Sequence, residues 1–140
     1  MSRANIKLYF YQLRLGKGRL EVVSVDTTKE NDSVWWTLDA ADIQSEEKEL
    51  ADDRSGITFA AALDDHRAII LTGENENYAA VIDAADRKVV SGFYLEVPMV
   101  YGKRTYDCKE NMFVYRASDF NIYVYDAAKG QQLACISSEM

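Results

Sequence analysis

Three segments of this chain end an apolar run in the same tripeptide: Val34-Trp-Trp-Thr-Leu-Asp39-Ala-Ala, Tyr78-Ala-Ala-Val-Ile-Asp83-Ala-Ala and Asn121-Ile-Tyr-Val-Tyr-Asp126-Ala-Ala. The aspartates lie 44 and then 43 positions apart, close to the roughly 40–45-residue period of a four-stranded propeller blade. Such a period constrains the fold strongly. A unit of this length cannot bury its apolar face alone, so neighbouring units must stack on one another. Asp bonds readily to the amides of its own turn and Ala-Ala keeps that turn compact, so the tripeptide reads as a turn device closing a strand.

The segments between these turns alternate as strands do. Ile6, Leu8 and Phe10 alternate with Lys7 and Tyr9, and Leu13 to Val25 reads as two strands around the Gly16-Lys-Gly18 turn. Val34 to Leu38 follows as a third strand. Beyond Gly56 the pattern predicts strands at 57–63, 68–72, 78–82 and 88–96, and after Pro98 at 100–106, 112–115, 122–125 and 132–136. An offset of 43 places Ile69, Ile70 and Leu71 on Met112, Phe113 and Val114, Val81, Ile82 and Asp83 on Val124, Tyr125 and Asp126, and Val90 on Leu133. The expected fold is mainly β, a single domain over 1–140 of antiparallel meanders in units of about 43 residues, spanning roughly 5–39, 57–96 and 99–137. The first unit is expected to lack a fourth strand, its place taken by an acidic insertion at 40–56.

That insertion carries most of the negative charge. Residues 39–76 hold eleven Asp/Glu against Lys48, Arg54 and Arg67, in a chain of formal net charge -7. Ala40, Ile43, Glu47, Leu50 and Ala51 would share one helical face, so 40–54 is either a short exposed helix or an acidic loop. A net acidic chain does not supply the basic stripe that nucleic acid requires, and no apolar run is long enough to span a membrane. The N-terminus lacks the apolar core of a signal peptide, and Cys108 and Cys135 are too few for a disulfide framework and not spaced as zinc ligands, which points to the cytoplasm and to small core thiols.

Ala80-Val-Ile-Asp83-Ala-Ala-Asp-Arg-Lys-Val-Val90 and Ile122-Tyr-Val-Tyr-Asp126-Ala-Ala-Lys-Gly-Gln-Gln-Leu133 resemble the third strand, turn and fourth strand of propeller blades of the quinoprotein and YVTN types. The resemblance covers about half the chain and concerns architecture. It implies that Asp83 and Asp126 are structural and that Gly130 takes a left-handed conformation. Three units are fewer than a self-closing propeller generally needs, which leaves an open stack, a sandwich or closure in an oligomer.

Catalytic patterns are sparse. His66, the sole histidine, sits in the turn Asp64-Asp-His-Arg67, no Gly-x-Ser-x-Gly elbow occurs, and Gly16-Lys-Gly18 lacks the phosphate-binding loop of a nucleotide site. The expected function is therefore that of a non-catalytic binding protein without cofactor or metal. Its small, acidic profile resembles that of immunity proteins and inhibitors. The partner would be a basic protein, a toxin or nuclease-like enzyme, met by Asp39, Asp42, Glu46, Glu47, Glu49, Asp52 and Asp53, with Trp35 and Trp36 as neighbouring aromatic anchors. The alternatives are a propeller-like scaffold or assembly subunit, homo-oligomers included, and a small-molecule-binding β domain lined by Tyr94, Tyr101 and Tyr106.

Overall fold

The computed structural model describes residues 4–8, 11–24, 33–39, 43, 56–72, 77–99 and 106–137. They form three four-stranded antiparallel meanders. The first runs β1 (Ala4–Lys7), β2 (Tyr11–Gly16), β3 (Arg19–Ser24), β4 (Ser33–Leu38); the second β5 (Ile57–Ala62), β6 (Arg67–Thr72), β7 (Tyr78–Asp83), β8 (Lys88–Tyr94). The third runs β9 (Tyr106–Lys109), β10 (Met112–Arg116), β11 (Ile122–Asp126), β12 (Gln131–Ile136). In each sheet strand order follows chain order, as short hairpin links dictate.

The predicted mainly β fold and its strands agree closely with this arrangement, with two corrections. The first sheet does not lack a strand: β1 pairs with β2 ahead of the glycine hairpin, so Val34 to Leu38 belongs to the fourth strand rather than the third. The third sheet opens at Tyr106–Lys109, so the expected first strand at 100–106 overlaps it only at Tyr106, residues 100–105 lying outside the described residues.

The register identifies the true repeat. A bulge between third and fourth strands falls between Val81 and Ile82 in the second sheet and between Val124 and Tyr125, 43 positions on, in the third. In the first sheet it falls between Val22 and Val23 of β3. The counterpart of Asp83 and Asp126 in the first sheet is therefore Ser24, the last residue of β3, and Asp39 follows an outer strand. Asp83 Oδ1 accepts a hydrogen bond from the Asp86 amide at 3.0 Å, and Asp126 Oδ1 one from the Lys129 amide at 3.1 Å. Ala84 and Ala127 beside them are fully buried, and Gly130 has φ 64°, as the turn reading requires.

The middle sheet is covered on both faces, which explains why β6 and β7 are near-continuous apolar runs. Ala60, Ala68, Ile70, Ala80 and Ile82 face the first sheet, which contributes Leu13, Leu15, Leu20, Val22 and Leu38. Phe59, Ile69, Leu71, Ala79, Val81 and Phe93 face the third, which contributes Phe113, Tyr115, Tyr123 and Tyr125. Alternation with a period of two sends neighbouring residues into different cores.

The second of these cores is aromatic. Phe93 stacks on Tyr125, Tyr125 on Tyr115, and Tyr115 on both Tyr123 and Phe113, with centroids 5.2–6.1 Å apart, within the range of favourable offset stacking. Hydroxyls on the ladder find polar partners: Tyr115 donates to the Val97 carbonyl, the Glu96 amide donates to Tyr125 Oη, and Tyr123 donates to Asp119. Burial, reinforced by Tyr125, holds the Tyr115 hydroxyl protonated far above the ordinary phenol range. Burial likewise pushes the half-buried Cys108 thiol up to about 12, as expected of an inert core residue. Cys135 departs from expectation: it is exposed on the outer strand β12.

Candidate interaction surface

Of the predicted contact residues, Asp42, Glu46, Glu47, Glu49, Asp52 and Asp53 lie outside the described residues, as does nearly all of the expected helix or loop at 40–54. Ile43, within that stretch, has a helical backbone and is buried in the core between the first two sheets. Asp39 is exposed and bonded at 2.9 Å to Arg19, whose guanidinium holds the carboxyl below its ordinary range.

The two tryptophans of β4 both meet the second sheet, Trp35 standing at the bulge. Trp36 packs against the core between the first two sheets. Trp35 is 38% exposed, yet its indole Nε1 donates to the Ala84 carbonyl at 2.9 Å, and the Arg87 guanidinium lies over its ring at 4.3 Å. The ring therefore ties the first sheet to the Asp83-Ala84 turn of the second, and only one face remains for a partner. Sequence alone did not show this because the contact joins residues 49 positions apart.

The turn Asp64–Arg67 places three ligand-type side chains together: Asp64, Asp65 and His66. Several of their polar atoms already bond within the turn. Asp64 Oδ1 accepts the His66 and Arg67 amides, Asp64 Oδ2 accepts the Arg67 guanidinium, and Asp65 Oδ1 lies 2.7 Å from His66 Nδ1. Burial pushes the Asp64 carboxyl up, but those bonds outweigh it and leave it lowered. The hydrogen bond to Asp65, with Asp64 and Asp83 nearby, raises the imidazole above its ordinary value. His66 lies in the turn between β5 and β6, where the sequence reading put it. Of the tyrosines named for a small-molecule site, Tyr106 packs edge-on against Phe59 at 5.0 Å and Tyr94 edge-on against Tyr78 at 5.0 Å, while Tyr101 lies outside the described residues.

The most distinctive surface is one the sequence reading missed. Pairing in the third sheet puts Met112, Val114, Ile122, Val124, Ala134 and Ile136 on the face turned away from the aromatic ladder. None of them belongs to either core; Met112, Val114, Ile122, Val124 and Ala134 are half-buried, and Ile136 and the neighbouring Leu133 are 51% and 52% exposed. With the 43-residue offset they match Ile69, Leu71, Ala79, Val81, Ser91 and Phe93, the middle-sheet face that the third sheet covers. Soluble chains seldom leave a contiguous apolar sheet face uncovered. The outward face of the first sheet is different: Gln12, Arg14, Glu21 and Thr37 line it, with a fully buried Val23 and an exposed Val34 beside the bulge. The stack thus has a largely polar end and an apolar end. The 43-residue offset carries this signal, since it pairs each of these residues with one that the third sheet covers.

Stacked antiparallel meanders of this kind define the class to which the fold belongs. Among solved structures, the chain is similar to the crystal structure of Kluyvelomyces marxianus Hsv2, a propeller protein, with a TM-score of 0.56 at 11% identity over 96% of this chain. At that identity the likeness is one of fold, and the chain spans 38% of the length of Hsv2. No family model and no curated protein matches the chain. No helix among the described residues is long and apolar enough to cross a membrane.

Proposed function

We propose that this chain is a non-catalytic, propeller-like assembly module that binds a protein partner through the outward face of its third sheet. The observation that carries this reading is the offset match between Met112, Val114, Ile122 and Val124, which no described sheet covers, and Ile69, Leu71, Ala79 and Val81, which the third sheet covers completely. A surface built on the same plan as a covered one is suited to the same kind of cover. The aliphatic side chains would supply the water-excluding centre of the contact, and Asp107, Lys109, Arg116 and Asp126 its polar border.

A second reading keeps the acidic surface as the functional one, an immunity protein or inhibitor directed at a basic partner in the cytoplasm. It draws support from the net charge of -7 and from the exposed Val34 and Trp35 just ahead of the acidic stretch. Affinity capture from the native host separates the two. Val124→Asp is expected to abolish recovery of the specific partner, while Glu46→Lys, Glu47→Lys and Glu49→Lys together leave it in place. Loss with the charge reversal and retention with Val124→Asp would transfer the function to the acidic segment.

A further inference from the structure

Resting on the assembly reading, we infer that the occupant of the open face is a second copy of the chain, seated third sheet against third sheet about a two-fold axis. Three observations converge on this. First, the charged side chains on that face among the described residues are Asp107, Lys109, Arg116 and Asp126, two acids and two bases, in a chain whose net charge is -7. Two copies of so acidic a chain repel each other on average. This balanced face avoids that penalty.

Second, a head-to-tail arrangement would seat the apolar face on the outward face of the first sheet. There Arg14, Glu21, Gln12 and Thr37 would lose water, at a cost that an aliphatic face cannot offset. A polar terminal face is what ends a stack of repeats. The apolar end therefore has only its own kind to meet within a copy of this chain, and an isologous pair closes without leading to a filament.

Third, the two faces suit each other in shape. Met112, Val114, Ile122, Val124, Ala134 and Ile136 are aliphatic and of modest size, so two such faces can interdigitate at the usual spacing of about 10 Å between packed sheets. The far side of the same sheet uses tyrosines and a phenylalanine against the smaller residues of the middle sheet.

Analytical ultracentrifugation of the full chain from about 1 to about 100 µM tests the inference. The expected result is a species of twice 15.9 kDa, whose dissociation constant rises at least about 100-fold in Val124→Asp and is unchanged in Thr37→Lys on the first sheet. Val114→Lys, with an unaltered circular-dichroism spectrum, replaces Val124→Asp should that variant unfold. A wild-type chain of 15.9 kDa at the highest concentration would overturn the second copy, as would a dimer indifferent to both valine variants. A monomeric wild type whose partner capture Val124→Asp still abolishes would overturn the second copy alone, leaving the assembly reading in place.

Discussion

Gly56→Ala is expected to lower the stability of the chain by about 3 kcal/mol and its Tm by roughly 10 °C. Gly56 has φ 58°, and a Cβ on it would lie 2.7 Å from the Gly18 Cα, a backbone atom that cannot turn aside. Gly18 itself has φ 73°. The two glycines bring the first hairpin against the start of β5, where the Ile57 amide donates to the Gly18 carbonyl at 2.8 Å and the buried Thr72 hydroxyl donates to the Gly56 carbonyl. Alanine would therefore add left-handed strain and part the first two sheets at their joint. Lys17→Gly provides the contrast. Lys17 is exposed with φ 56°, and its replacement relieves strain without touching the joint, so stability is expected to change by less than about 1 kcal/mol, in the favourable direction. Thermal denaturation of the three proteins decides this; a Gly56→Ala chain as stable as the wild type would mean that the sheets do not meet there.

Phe113→Ala is expected to cost more, about 3–5 kcal/mol by chemical denaturation, a large share of the 5–15 kcal/mol typical of a domain. Phe113 is fully buried and touches Phe59, Tyr106 and Tyr115, with centroids 5.2–6.5 Å away. Removing its ring leaves a cavity at the centre of the contact between second and third sheets. Val114→Ala, one residue along the same strand, is expected to cost less than about 1 kcal/mol, because its side chain lies on the face that neither core includes. Comparable losses at both positions would mean that both faces of β10 are packed, and the open face would have to be abandoned.

Much of the architecture was legible in the residues. Alternation gave nearly all the strands, and the offset of 43 gave the equivalence of second and third sheets down to the bulge after Val81 and Val124. Asp83, Asp126 and Gly130 play the turn roles that their chemistry suggests. The first unit was misread because Asp39-Ala-Ala imitates the turn while following an outer strand, and the true counterpart, Ser24, carries no matching tripeptide. Ala4 to Lys7 form a full strand against β2, in the segment whose alternation at Ile6 and Leu8 the sequence shows. The informative place is where the repeat is intact and its next member is not among the described strands.

The candidate site was less legible for a physical reason. Charge density is visible in a sequence, whereas the exposure of an apolar strand depends on what lies across from it. Val114 and Val124 are indistinguishable by type from the buried Val81. Trp35 shows the opposite case: it has the residue type of an interface anchor, and its indole is held by Ala84 and Arg87.

Hydrogen exchange followed on the free chain and on the chain in its assembly tests the central claim most directly. In the free chain β6 and β7, buried on both faces, are expected to exchange slowest, and β12 fastest of the third sheet. On assembly, protection is expected to rise in β10, β11 and β12 and to stay constant in β2 and β3. New protection confined to residues 39–55, with the third sheet unchanged, would contradict the account.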